Sequence, residues 1–146
     1  MDNPTLFSEQ GKQYRPRKKA VKELNDNINT TRRSEYFWKC VIAFEGYAFK
    51  TVGRGNREGV KFMYEVSRNQ GNRGGQYAGR HISGYGDEIL IDGKAKSISR
   101  STAELALSNA LEARKRGEIM SGPRKLGVPG ARSYLYAMLK RFEILE

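Results

Sequence analysis

The spacing of apolar residues changes along the chain and divides it into stretches. In residues 1–34 apolar positions are sparse. Only Val21, Leu24 and Ile28 fall at helical spacing, and Asn25, Asn27, Asn29, Thr30 and Thr31 weaken that short helix by competing for its backbone hydrogen bonds. From Tyr36 to Glu45 (YFWKCVIAFE) the chain is aromatic and β-branched, which predicts a strand with Tyr36, Trp38, Cys40, Ile42 and Phe44 on one face. Gly46 turns the chain, and a short strand is expected within Tyr47 to Val52. Val60 to Ser67 (VKFMYEVS) alternates: Val60, Phe62, Tyr64 and Val66 point one way, Lys61, Met63 and Glu65 the other. Asp92-Gly93, between Glu88–Ile91 and Lys94–Ile98, predicts a hairpin closed by a type I′ turn.

Beyond the hairpin the period becomes helical. Ser101 is expected to cap a helix, with Glu104 reaching back to close a capping box. Leu105, Ala106, Ala110, Leu111 and Ala113 follow at helical spacing, and Gly117 stops the helix. A short turn of helix around Arg124, Lys125 and Leu126 is broken by Gly127. A last helix over 131–142 carries Leu135, Met138, Leu139 and Phe142 as its apolar stripe. Strands followed by helices indicate an α+β fold, a small antiparallel sheet packed by C-terminal helices. The expected organisation is a basic, partly disordered tail over 1–34 and one domain over 35–146, β-rich to residue 98 and helical from 99.

Charge adds what periodicity cannot. The 146 residues hold 27 Lys+Arg against 16 Asp+Glu, a formal net charge of +11, which favours phosphate polymers as partners. Three groups of cations stand out. Arg15, Arg17, Lys18 and Lys19 form an acid-free cluster in the tail, suited to sequence-independent phosphate contacts. Arg54 and Arg57 lie in a Gly-rich turn, and Arg73 and Arg80 in a longer Gly-rich loop over 68–86. There glycine allows close backbone approach to phosphate and arginine supplies a planar fork. Tyr77 and Tyr85 flank the longer loop and are candidates for stacking on bases.

From Ser99 onward, Leu126-Gly127-Val128-Pro129 followed by Arg132-Ser133-Tyr134 is similar to a helix-turn-helix segment. The resemblance implies that the last helix enters the major groove, with Arg132 reading guanine, Ser133 or Tyr134 holding phosphate, and Arg124 and Lys125 close by. An amphipathic helix packed on the sheet explains the same stripe. The whole chain also resembles small uncharacterised proteins of bacterial mobile elements, a likeness that implies no activity.

Chemistry-bearing residues are scarce. Cys40, the single cysteine, precludes an intramolecular disulfide and sits where a buried thiol is expected; His81 is the single histidine. No Walker loop or GxSxG elbow occurs. The first ten residues carry no signal-type apolar run and no stretch reaches bilayer-spanning length, so a cytoplasmic protein without a membrane partner is expected. The leading expectation is a non-enzymatic protein that binds DNA or RNA and needs no cofactor. The alternatives are a small inhibitor or accessory protein that docks on a nucleoprotein machine such as an RNA-guided nuclease, and a Mg²⁺-dependent nuclease using Asp87, Glu88 or Asp92 with Lys94.

Overall fold

A computed structural model describes residues 16–53, 57–69 and 82–146. Helix α1 covers 16–26 and α2 spans Arg33–Ala43. Strands β1 (Phe49–Lys50) and β2 (Lys61–Phe62) form an antiparallel ribbon. Strands β3 (Tyr64–Arg68), β4 (Tyr85–Ile91) and β5 (Ser97–Ser99) form a second antiparallel sheet in that order. Helix α3 (Arg100–Lys115), a 3₁₀ turn (Pro123–Leu126) and α4 (Arg132–Arg141) follow. The fold is α+β, as expected, but two helices precede the sheets.

The predicted strand over 36–45 is α2. Phe37, Trp38, Cys40, Val41 and Phe44 are buried, the i, i+1, i+3, i+4, i+7 pattern of a helix, whereas Tyr36 and Ile42 are only half-buried. A nearly all-apolar run satisfies both periods, so composition alone misleads. The polar positions decide: Arg32, Glu35 and Lys39 are spaced three and four apart, and both cations bridge the Glu35 carboxylate, at 2.7 and 3.1 Å.

The short helix anticipated around Val21, Leu24 and Ile28 exists and is part of the body. Ala20, Val21, Leu24 and Ile28 are buried in the same cluster as Phe37, Trp38 and Phe142. Asn25 Nδ2 donates to the Phe142 carbonyl at 3.0 Å, tying α1 to the end of α4. From residue 16 onward the chain is therefore core rather than a loose arm. Arg15 and the residues before it lie outside the described residues.

In the three-stranded sheet Tyr64, Val66, Ile89, Ile91 and Ile98 face the core, while Glu65, Glu88 and Leu90 face outward. The expected alternation over 60–67 holds except at Val60, which is 65% exposed. The Asp92-Gly93 hairpin is present, but its turn differs from expectation. Leu90 pairs with Ser97, so the connection runs over 92–96. Only Gly93 of the two central residues has positive φ (+76°), and Lys94 N–H donates to the Ile91 carbonyl at 3.1 Å, the pattern of type II. The cap of α3 also differs: Ser99, not Ser101, accepts from the Thr102 N–H at 3.1 Å. Glu104 does not close a box; its carboxylate turns to Arg100 and Ser34.

Candidate nucleic-acid interface

One cation predicted to bind phosphate, Arg17, is instead structural, and Tyr85, predicted to stack on bases, is engaged within the fold. Arg17 donates from Nε to the Ala43 carbonyl at 3.0 Å and from Nη2 to the Glu45 carbonyl at 2.9 Å, capping the end of α2 while its guanidinium lies over Phe44 and Tyr47. Lys18 and Lys19, beside it on α1, are exposed. Tyr85 opens β4 and stacks under the Arg68 guanidinium, 4.2 Å from ring centroid to Cζ; Arg68 in turn bridges Glu45 at 2.9 Å. Arg54, Arg73, Tyr77 and Arg80 lie outside the described residues, as does His81. Arg57, Arg124, Lys125 and Ser133 are exposed, and Arg132 and Tyr134 are half-buried.

One cation that sequence reasoning passed over organises the middle of the molecule. Arg100 is fully buried. Its Nε meets Glu104 Oε2 at 2.9 Å and its Nη1 meets Asp87 Oδ1 at 3.3 Å. Its Nη2 donates to the Ser34 hydroxyl and carbonyl at 3.1 and 3.3 Å. The guanidinium lies 5.0 Å from the Trp38 ring, whose Nε1–H donates to the Gly86 carbonyl at 2.9 Å. The alternation of β4 makes this possible, because Asp87 shares the inner face with Ile89 and Ile91. Arg100 thus joins α2, β4 and α3 through a satisfied ionic network. The sequence signal was the i,i+4 pair Arg100 and Glu104 directly after a strand.

The Arg100 contact also bears on the metal-nuclease alternative. Asp87 is held by Arg100, the Glu88 carboxylate accepts from the Ser97 hydroxyl, and Asp92 lies on the hairpin turn. Among the described residues no group of three His, Cys, Asp or Glu side chains gathers to hold a metal ion. Cys40 is buried, and burial pushes its thiol pKa up, so it stays protonated among apolar neighbours.

Basic and aromatic side chains do converge around the first turn of α4. Tyr134 packs edge-on against Phe62 at the base of the β1–β2 ribbon, with ring centroids 4.9 Å apart. Tyr134 also lines an open cleft of about 500 Å³ together with Lys94, Lys96, Ser97, Thr102 and Gly130. The hairpin loop with Lys94 and Lys96 therefore borders this helix end, and the ribbon reaches it through Phe62, with Lys50 and Lys61 on the ribbon's other face. Arg132 and Ser133 begin that helix, and no side chain caps its N-terminus. Lys61, Lys94, Lys96 and Arg132 make no ion pair among the described residues, and Lys50 has only the exposed Glu58, at 3.3 Å. Some cations elsewhere are neutralised locally: Arg32 and Lys39 hold the Glu35 carboxyl at about 2, and Lys22 bonds Asp26 at 2.8 Å.

In the segment that resembles a helix-turn-helix, the middle of α4 is enclosed. Residues 135 through 139 are all buried, so α4 gives solvent its two ends rather than a continuous side. Lys125 lines a separate cleft with Arg116 and Glu118 at the end of α3. No family model matches the chain, and no curated protein or solved structure is significantly similar to it.

Proposed function

We propose that this protein binds nucleic acid without acting on it chemically, gripping the phosphate backbone across the surface around the first turn of α4. The observation that carries this reading is the position of Tyr134, which joins the ribbon of Lys50 and Lys61 to the loop of Lys94 and Lys96. Cations on two rigid projections with an uncapped helix end between them suit a polymer of phosphates better than a single small anion. The net charge of +11 draws such a polymer in from a distance. The interface differs from the sequence expectation in its parts. Arg17 leaves it, the last helix contributes its end rather than its length, and Lys50, Lys61, Lys94 and Lys96 enter it.

Fluorescence-anisotropy titration of labelled DNA and RNA over a salt series tests the proposal. Binding should weaken linearly on a log–log plot with salt. Lys94→Gln with Lys96→Gln should make that line shallower by about 2, roughly one for each lost phosphate contact. Lys22→Gln, on an ammonium already held by Asp26, should leave the slope unchanged. Absence of binding to every nucleic-acid form at about 50 mM salt, where backbone contacts are strong, would refute the proposal.

A further inference from the structure

The β1–β2 ribbon leaves the body as an arm. Phe49 and Phe62 stack at its base with centroids 5.2 Å apart, and Phe49 also stacks on Tyr64 at 5.6 Å. Beyond that base no described residue from Thr51 to Lys61 is buried. Pairing nevertheless continues: Thr51 N–H donates to the Val60 carbonyl at 2.9 Å, and Val60 N–H donates to the Thr51 hydroxyl at 2.8 Å. The strands are held so closely that a Cβ on Gly59 would lie 1.5 Å from the Thr51 carbonyl oxygen. The described residues of the arm, on either side of 54–56, are thus held close together next to the β1–β2 ribbon.

Its surface combines cations with exposed apolar side chains. Lys50 pairs directly with Lys61 across the strands, a like-charge juxtaposition that Glu58 offsets in part by bonding Lys50 at 3.3 Å and that a polyanion relieves further. Val52 and Val60 are 47% and 65% exposed. By strand alternation Val60 lies on the Phe62 face and Val52 on the Lys50 face, so each face offers one valine. Arg57 is exposed on the segment that leads into β2.

We infer that the arm enters a groove of duplex DNA, with Val52 and Val60 against the groove interior and Lys50, Arg57 and Lys61 on the bordering phosphates. This rests on the nucleic-acid reading above and names its substrate class. A two-stranded ribbon fits the major groove of B-form DNA, whereas the major groove of A-form RNA is too narrow for protein side chains. Unpaired strands are held by exposed aromatic platforms, and the described part of the arm exposes valines instead. Charge complementarity selects the polyanion, and the ribbon shape with its aliphatic faces selects the duplex.

The test compares the full chain with two variants, Val52→Ser/Val60→Ser and Lys50→Gln/Lys61→Gln, on duplex DNA, duplex RNA and single-stranded DNA of one length. Duplex DNA should bind at least about tenfold more tightly than the other two. The valine variant should lose about tenfold in duplex-DNA affinity with no change in salt slope, because apolar contacts release no counterions. The lysine variant should reduce the slope by about 1 to 2, the larger value if Lys50 exchanges the exposed Glu58 for phosphate. All four substituted positions are exposed, and an unchanged thermal melt confirms that the fold is intact. Equal affinity for the three polymers, or unaltered affinity of the valine variant, overturns the arm while leaving phosphate binding in place. If no polymer binds at low salt, the functional reading itself falls and the arm falls with it.

Discussion

Arg100 stands between two carboxylates, the Ser34 hydroxyl and the Trp38 ring, with no solvent access. A buried ion pair is not stabilising by default, because desolvation of the charges offsets their attraction. Removing one partner is a different matter, because it leaves the others charged and unmatched. Arg100→Ala should therefore destabilise the protein by about 3–5 kcal/mol in urea unfolding. Arg100→Lys should recover only part, since an ammonium cannot reach Asp87, Glu104 and Ser34 with one planar fork. A loss below about 1 kcal/mol for the alanine variant would mean the network is incidental to the fold, as exposed pairs commonly are. The residue was hidden in the sequence because Ser-Arg-Ser-Thr-Ala-Glu reads as a helix start. It is one, but Ser99 does the capping and Glu104 serves Arg100.

At the scale of elements, legibility followed how sharply polar positions punctuate the apolar ones. β3 was readable because Glu65 interrupts Tyr64 and Val66, and α3 and α4 because their stripes have clear polar faces. α2 is misread because its core run holds a single polar residue, Lys39, before Glu45, and its register shows only when Lys39 is set against Glu35 and Arg32 ahead of the run. Helix ends were harder still. At the end of α4, Ile144 N–H donates to the Leu139 carbonyl at 3.0 Å and Glu143 N–H to the Lys140 carbonyl at 3.1 Å, a Schellman closure. Its left-handed position is Glu143, at φ +64°, where glycine is usual. A left-handed backbone costs an L-residue roughly 1–2 kcal/mol, and glycine returns part of this as extra freedom in the unfolded chain. Glu143→Gly should stabilise by about 0.5–1 kcal/mol and raise the melting temperature by about 1–3 °C. Glu143→Ala, which keeps the Cβ, should bring no such gain, so calorimetry on the two variants isolates the backbone effect.

At the scale of the whole molecule, the reading of charge and the reading of the core pull against each other over residues 16–34. Basic and asparagine-rich sequence suggests an arm, yet the three apolar residues at helical spacing are enough to dock a helix. The reason is geometric. α1 covers Phe44 and Phe142 from one side through Arg17 and Asn25, and without it the α2–α4 seam would face water. The function follows the same division. Cations that close the core, Arg17 and Arg100, are not available to phosphate, whereas those on the ribbon and hairpin loop are. Net charge is visible in a sequence, but only the fold sorts its members. Leu24, fully buried on α1, gives the decisive measurement. If α1 is core, Leu24→Ala should cost about 2–5 kcal/mol, as truncations in packed interiors do. In a solvated arm the same change would be worth no more than about 0.5 kcal/mol, as at exposed sites generally. Chemical denaturation distinguishes these without ambiguity. The Leu24→Ala protein should also keep its affinity for nucleic acid under conditions where it remains folded, because Leu24 lies on α1, which is tied to the C-terminal end of α4 rather than to its first turn.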